Sequence, residues 1–234
     1  MNTSDNFWMA RLAGAAHLVL FVTGSFPIML QASLLVRGDA AATVANFLAS
    51  ETLFRLGIIS EIVMAIAWLS VAFLLHLLLK HVHKPLATLF LVIAAVGVAV
   101  ICANIVFQAG ALVLMERNGT LQALDNSQTE TLAVFFLTLY SRGWTVAGVF
   151  TGLWMLPLGY VAYISGYFPR IFGILLTAGC FAYLFPVVTV FLLPEHVSWN
   201  IPVMSIAGLA EISLGLWLFA KGAKPNNAAE PGFA

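Results

Sequence analysis

Four ionisable residues interrupt the long apolar runs of this sequence. Glu61, Arg142, Glu211 and His17 each lie about nine to thirteen residues inside a run, which is roughly 13–20 Å along a helix. If the runs cross a bilayer, all four groups are near its centre, where an ionisable side chain is costly and is a candidate functional group by default. The sequence therefore predicts a polar site inside a membrane protein.

The charges of these residues suggest how they are accommodated. A charged side chain at the bilayer centre costs at least about 2.5–3.5 kcal/mol on insertion scales, so we expect the four to face the interior of a helix bundle. The specific prediction is that Arg142 pairs with Glu61 or Glu211. The remaining acid is then protonated or accepts hydrogen bonds from His17 or from neighbouring amides.

Two amides and a second arginine complete the predicted site. Asn104 and Gln108 are four residues apart and share one helix face in the outer half of their run. They can donate to a buried acid, or they can hold helices together, a role worth about 0.6 kcal/mol on average for a polar pair in a membrane. Arg55 lies nearer the end of its run and is expected at the outer mouth of the site.

The histidines raise the alternative of a haem b protein. His17 and His76 could ligate haem between helices, but His76 is four residues from Lys80, near a membrane surface, whereas His17 is near the middle. Axial ligands should lie at similar depth, so we predict no cofactor and keep haem as the less favoured alternative. His81 and His83 flank lysines in a short loop, and a His-x-His pair without further ligands is a weak metal signal.

The composition explains why a membrane is expected. Hydrophobic residues make up 62% of the chain and charged residues 9%, whereas soluble domains contain about 25% charged residues. The formal net charge is +0, and the sequence has no basic face for nucleic acid. Cys102 and Cys180 are isolated within apolar runs and form neither a disulfide framework nor a metal motif.

The apolar runs predict an all-α, six-helix bundle that forms a single membrane domain over 8–221. Segment 37–50 is expected to hold a short interfacial helix, 116–131 a loop, and 1–7 and 222–234 an N-terminal tail and a disordered C-terminal tail. The predicted spans are 8–36, 51–80, 85–115, 132–164, 169–193 and 198–220.

The loop charges predict the orientation. One side carries six basic residues, namely Arg11, Lys80, Lys84, Arg170, Lys221 and Lys224. The other side carries Arg37 and Arg117 among the acids Asp39, Glu116, Asp125, Glu130 and Glu195. Because basic loops stay in the cytoplasm, both termini are predicted to be inside.

Several stretches, taken in order, resemble a bacterial integral-membrane family catalogued as domain of unknown function 4386. These are 51–57 (ETLFRLG), 152–159 (GLWMLPLG), 165–173 (SGYFPRIFG) and 210–217 (AEISLGLW). The resemblance implies a six-helix bundle in a bacterial inner membrane, and a role for Arg55 and Glu211 in the shared architecture. It implies no reaction, and Arg142 falls outside the matching stretches.

The function expected from these observations is non-enzymatic. The buried polar site would open toward the outer side and bind a small molecule or lipid, or support a complex with another membrane protein or a second copy. A membrane-embedded enzyme or haem protein is one alternative. A small transporter is another, although no repeat symmetry is visible.

Overall fold

The computed structural model describes residues 3–116 and 124–223, and within these ranges the regular structure is entirely helical. The fold class predicted from the sequence is confirmed. In chain order the elements are α1 (Thr3–Leu34), α2 (Ala40–Ala49), α3 (Glu51–Glu116), α4 (Asn126–Leu153), α5 (Met155–Ser165), α6 (Arg170–Phe191), a 3₁₀ helix (Pro194–Trp199) and α7 (Asn200–Lys221).

The long element α3 is a hairpin of two helices. It has 66 residues, and a straight helix of that length would extend for about 100 Å, far more than the bilayer thickness. The backbone leaves the helical region at His83 (φ −153°, ψ 87°), where Pro85 follows and supplies no N–H to continue the ladder. Gln108 donates to Glu61 at 3.0 Å, so the arms 51–82 and 84–116 are antiparallel.

The fourth crossing is made by α4 and α5 together. Trp154 separates the two helices, and Pro157 lacks the N–H that would bond to the carbonyl three to four residues earlier. The start of α4 differs from the expected loop over 116–131. Asp125 caps this helix in a reciprocal capping box with Gln128, so α4 begins at Asn126. The expected loop is shorter than predicted on that side, and 117–123 lie outside the described residues.

The other helices begin and end within a few residues of the predicted positions. Helix α1 begins at Thr3, within the segment predicted to be a tail, and the expected interfacial helix is α2, capped by the Asp39 side chain. A 3₁₀ helix precedes α7. Most of the predicted C-terminal tail lies outside the described residues.

Among the described residues, five helices are long and apolar enough to cross a membrane, and one of them is the α3 hairpin. Many large apolar side chains are exposed on the bundle surface, for example Ile66, Val106 and Phe181, each more than 60% exposed. Lipid is the solvent that accommodates such a surface. The chain is therefore a multi-pass membrane protein.

Small residues allow the helices to approach one another closely. A Cβ at Gly159 would lie 2.9 Å from the Gly173 carbonyl oxygen, and a Cβ at Gly173 would lie 2.6 Å from that of Gly159. A Cβ at Gly152 would lie 2.8 Å from the Cys180 carbonyl oxygen. Backbone contacts of this kind hold α6 against α4 and α5, as is common in membrane bundles.

The two ends of the bundle differ in charge. Arg11 donates to the carbonyl of Phe219 at 2.9 Å, and Trp217 contacts the rings of Phe168 and Phe172. The start of α1, the start of α6 and the end of α7 therefore meet at one end, which we call the basic end. Its basic residues in the described part of the chain are Arg11, Lys80, Lys84, Arg170 and Lys221. Arg117 and Lys224 lie outside the described residues.

Candidate functional site

The first acid, Glu61, is fully buried and belongs to a chain of hydrogen bonds between α3 and α4. Its carboxylate accepts from Gln108 Nε2 at 3.0 Å and from the Tyr140 hydroxyl. The Tyr140 hydroxyl in turn accepts from Trp144 Nε1 at 2.6 Å. Tyr140 and Trp144 are one turn apart on α4, which places both on the same face.

Asn104 lies beside this chain and fixes the approach of α4. Its Nδ2 donates to the Tyr140 carbonyl oxygen at 3.0 Å. The amide also occupies the space beside Gly143, where a Cβ would lie 1.7 Å from Asn104 Oδ1. A side chain at position 143 would therefore displace the amide, so glycine is required for this contact.

The second acid, Glu211, has a sparser set of partners. It is 6% exposed, and its carboxylate accepts one hydrogen bond, from the Tyr183 hydroxyl at 3.2 Å. None of the salt bridges within the described residues involves Glu211. The bundle thus contains two pairs of a buried carboxyl group and a tyrosine, Glu61–Tyr140 and Glu211–Tyr183.

Two adjoining cavities lie between these pairs. The Glu211 cavity, of about 200 Å³, is lined by Glu211, Tyr183 and Trp144 among apolar and aromatic side chains. The Tyr140 cavity, of about 250 Å³, is lined by Tyr140, Tyr183 and Trp144, together with Gln31. Trp144 and Tyr183 line both, so the two cavities adjoin, and we call them together the paired cavities.

The paired cavities exist because α1 and α7 diverge away from the basic end. A Cβ at Gly14 would lie 2.3 Å from the backbone nitrogen of Phe219, and one at Gly215 would lie 3.3 Å from His17. Further along α7, a Cβ at Gly208 would meet no atom within 4 Å. The helices are therefore in backbone contact at the basic end and separated by open space at Gly208.

The paired cavities open at the lateral surface of the bundle, between α1 and α7. Ile28 on α1 and Met204 on α7 line both cavities, and they are 52% and 38% exposed. The surface at this level carries large exposed apolar residues and faces lipid. A molecule dissolved in the bilayer can thus reach the cavity walls without passing through water.

Comparison with known proteins identifies the family but no activity. The model of the family described as Domain of unknown function (DUF4386) matches residues 12–222. The chain belongs to this family. No curated protein and no solved structure matches the chain. The resemblance found from the sequence is thereby confirmed.

Arg142 does not lie in the buried polar site that the sequence predicted for it. The family match includes the position, but the side chain is exposed on the surface of α4 and forms no ion pair with Glu61 or Glu211. The predicted pairing is therefore wrong. The physical reason is the helix period: Tyr140 and Trp144 turn one face of α4 inward, and position 142 lies between them on the other side.

Arg55 lies at the end of the bundle opposite to the basic end. It forms ion pairs with Glu51 at 2.8 Å and with Glu116, which join the start and end of the α3 hairpin. Arg55 is about half exposed and lines neither of the paired cavities. Its ion pairs connect the two arms of the α3 hairpin, and it contributes no group to the buried site.

The two histidines of the haem alternative stand at different levels. Ser60 donates to the Thr23 carbonyl oxygen at 2.8 Å, and Gly57 lies against Pro27, so α1 and the first arm of α3 are antiparallel. This register places His76 roughly 14 Å nearer the basic end than His17. His17 is 1% exposed, and neither of its ring nitrogens has a hydrogen-bond partner among the described residues.

Metal-ligating side chains do not cluster in the part of the chain that the structure describes. No group of three or more His, Cys, Asp or Glu residues there could hold a metal ion. The buried cysteine, Cys180, contacts the α4 backbone near Gly152 through its own carbonyl, and Cys102 is exposed.

Three aromatic residues of the site were not predicted from the sequence. Tyr140 donates to Glu61, Tyr183 donates to Glu211, and Trp144 donates to the Tyr140 hydroxyl. A signal was present in the sequence: Tyr183 carries a hydroxyl group in the middle of a mostly apolar run, and Tyr140 and Trp144 have a one-turn spacing. A buried tyrosine or tryptophan needs a partner for its polar atom, and the nearest buried acid is a natural one.

Proposed function

We propose that this protein binds a small, largely apolar molecule in the paired cavities and does not catalyse a reaction. The observation that carries the proposal is the placement of Glu211, Tyr183 and Tyr140 at the edge of a space that reaches the lipid between Ile28 and Met204. Few convergent polar groups in a mostly apolar concavity are typical of ligand sites.

The dimensions favour a small ligand over a whole lipid. The cavities, at about 200 and 250 Å³, are individually smaller than the roughly 300–1,000 Å³ of a typical ligand pocket. With Trp144 and Tyr183 as a shared wall, they suit one small molecule or a single acyl chain. The ligand would enter sideways from the bilayer, with its polar group directed to the tyrosines.

We also propose a location and an orientation. The basic end collects lysine and arginine, whereas the opposite end carries the acids Glu51, Glu116 and Glu195. Under the positive-inside rule the basic end is cytoplasmic, so the protein lies in a bacterial inner membrane with both termini inside. The cavities then lie in the outer half of the membrane.

The binding proposal is tested by filling the Glu211 cavity. Gly208→Leu adds a side chain where a Cβ meets no atom within 4 Å, so it can occupy the cavity without a clash. The matched control is Ala103→Leu, which adds the same side chain on the exposed face of α3. All three proteins are purified from the expressing bacterium in nanodiscs, extracted with organic solvent and compared by mass spectrometry.

We expect a species that is retained by the wild type and by Ala103→Leu and is lost from Gly208→Leu. Thermal unfolding of the three proteins should agree closely, which separates loss of binding from loss of fold. The proposal is overturned if the extracted species are the same in all three proteins, or if nothing beyond bulk lipid is retained by the wild type.

A further inference from the structure

The charge of the Glu211 cavity indicates which kind of ligand it holds. Glu211 is 6% exposed and receives one hydrogen bond, from Tyr183 at 3.2 Å. No lysine, arginine or histidine within 4 Å forms an ion pair with it among the described residues. A buried carboxylate is normally paired with a cation or fully hydrogen-bonded, and the described protein supplies neither.

The other acid of the bundle provides a comparison. Glu61 accepts hydrogen bonds from Gln108 and Tyr140, and it lines neither of the paired cavities. Both donors bond to the same carboxylate oxygen, Oε1, and hold the α3 hairpin against α4, while the buried Oε2 has no hydrogen-bond partner among the described residues. Glu211 instead faces a space that a ligand can occupy.

The walls around Glu211 are aromatic. Besides Tyr183, the side chains of Phe21, Trp68, Trp144 and Trp154 line the same cavity. Trp68 and Trp154 meet edge to face, with their ring centroids 5.7 Å apart. Aromatic faces attract a cation within about 6 Å of the ring centroid, tryptophan most strongly, and groups of such rings are the usual receptors for quaternary ammonium.

The space beside the carboxyl group suits a compact head group. Gly208 precedes Glu211 by three residues on α7 and therefore lies on the same face, one turn away. The absence of a side chain at Gly208 leaves room next to the carboxylate. An apolar tail attached to the head group can leave between Ile28 and Met204 into lipid.

We propose that the ligand of the Glu211 cavity is a lipophilic organic cation, an alkyl amine or alkyl ammonium, whose charged nitrogen lies between Glu211 and the surrounding aromatic rings. The inference rests on the proposed binding function and specifies its ligand class. An anionic ligand would be repelled by the carboxylate. A neutral ligand would gain a hydrogen bond but neither the ion pair nor the attraction of the rings.

The test compares three probes that share one alkyl chain and differ in charge: octyltrimethylammonium, 1-octanol and octanoate. Binding is measured in nanodiscs of zwitterionic lipid through the intrinsic tryptophan fluorescence, since three tryptophans line the cavity, with empty nanodiscs correcting for partition into lipid. The variant is Glu211→Gln. The matched control is Glu195→Gln, which removes one negative charge from an exposed position in the 3₁₀ helix.

We expect the wild type and Glu195→Gln to bind octyltrimethylammonium about tenfold or more tightly than octanol, as cation–aromatic and ionic contacts in a desolvated site imply. Octanoate should bind least. In Glu211→Gln the preference for the cation over octanol should fall to near unity. The wild-type comparison among probes remains decisive even if Glu211→Gln does not fold.

Two outcomes distinguish failure of this inference from failure of the proposed function. If octanol binds as tightly as the ammonium probe and Gly208→Leu abolishes both, the cavity is a binding site but the cation assignment is wrong. The cation assignment is also wrong if Glu211→Gln keeps the full preference for the ammonium probe. If none of the three probes binds, both the inference and the binding function are overturned.

Discussion

The Tyr140 hydroxyl donates a hydrogen bond to the Glu61 carboxylate and accepts one from the indole of Trp144. Through this single hydroxyl, the acid of the first α3 arm is connected to a side chain that lines both cavities. The Tyr140 hydroxyl thus connects the hydrogen-bonded contact between α3 and α4 to the wall of the paired cavities. Substitution of Tyr140 should therefore change both the free energy of unfolding and the position of the Trp144 side chain at the cavity wall.

Replacing Tyr140 with phenylalanine should destabilise the bundle. The change keeps the ring but leaves Glu61 with only Gln108 as a donor, and it leaves the Trp144 N–H without its acceptor. Loss of a partner from a buried polar group costs about 1–3 kcal/mol, measurable as reduced free energy of unfolding in detergent. The matched control, Tyr160→Phe, removes a hydroxyl from a residue that is 54% exposed and should change stability little. Equal effects of the two substitutions would contradict the proposed network.

Asn104 and Gly143 should show strong energetic coupling. Gly143→Ala places a Cβ where the Asn104 amide now lies, which breaks the hydrogen bond to the Tyr140 carbonyl and should cost about 1–3 kcal/mol. In an Asn104→Ala background the same substitution has room and should cost much less. A double-mutant cycle of unfolding free energies should give a coupling of about 0.5–3 kcal/mol. Additive effects would show that the two residues are not in contact.

The sequence predicted the fold well because the apolar runs determine it. A run long enough to cross lipid has to be helical, so the long helices, the hairpin at Pro85 and the short helix α2 follow from hydropathy and proline positions. The start of α4 is harder to predict from the sequence. Its capping box at Asp125 and Gln128 is polar, and polarity alone favours a loop.

The site was predictable only in part, because depth along a helix does not give direction around it. Glu61, Gln108 and Asn104 lie on inward faces of one hairpin, and their spacing is enough to group them. Arg142 has a comparable depth but points outward. Its assignment to the site came from charge balance, and the tyrosines that actually contact the acids carry no formal charge.

Removal of the Arg142 charge should not destabilise the protein. The side chain is exposed on a membrane-spanning helix and has no ion pair with either buried acid, so Arg142→Leu replaces a charge by an apolar group on a lipid-facing surface. On insertion scales an arginine near the bilayer centre costs about 2.5–3.5 kcal/mol, and the unfolding temperature should stay constant or rise. A decrease of about 1 kcal/mol or more in the free energy of unfolding would instead support an ion pair between Arg142 and a buried acid.

Alanine substitutions at Gly14 and Gly208 should have opposite effects, because α1 and α7 touch at one position and diverge at the other. At Gly14 the added Cβ would lie 2.3 Å from the Phe219 backbone nitrogen. Backbone cannot move as a flexible side chain can, so Gly14→Ala should force the helices apart at a cost of about 1–3 kcal/mol. At Gly208 the added methyl meets no atom within 4 Å, and the better helix propensity of alanine should stabilise α7 by up to about 1 kcal/mol.

Thermal unfolding of the two variants in the same detergent measures this difference directly. Each is a single glycine-to-alanine change in a membrane helix, so each serves as the control of the other. Equal destabilisation would mean that α1 and α7 are packed as closely at Gly208 as at Gly14. In that case the Glu211 cavity would be closed, and no ligand could reach the carboxylate from the lipid.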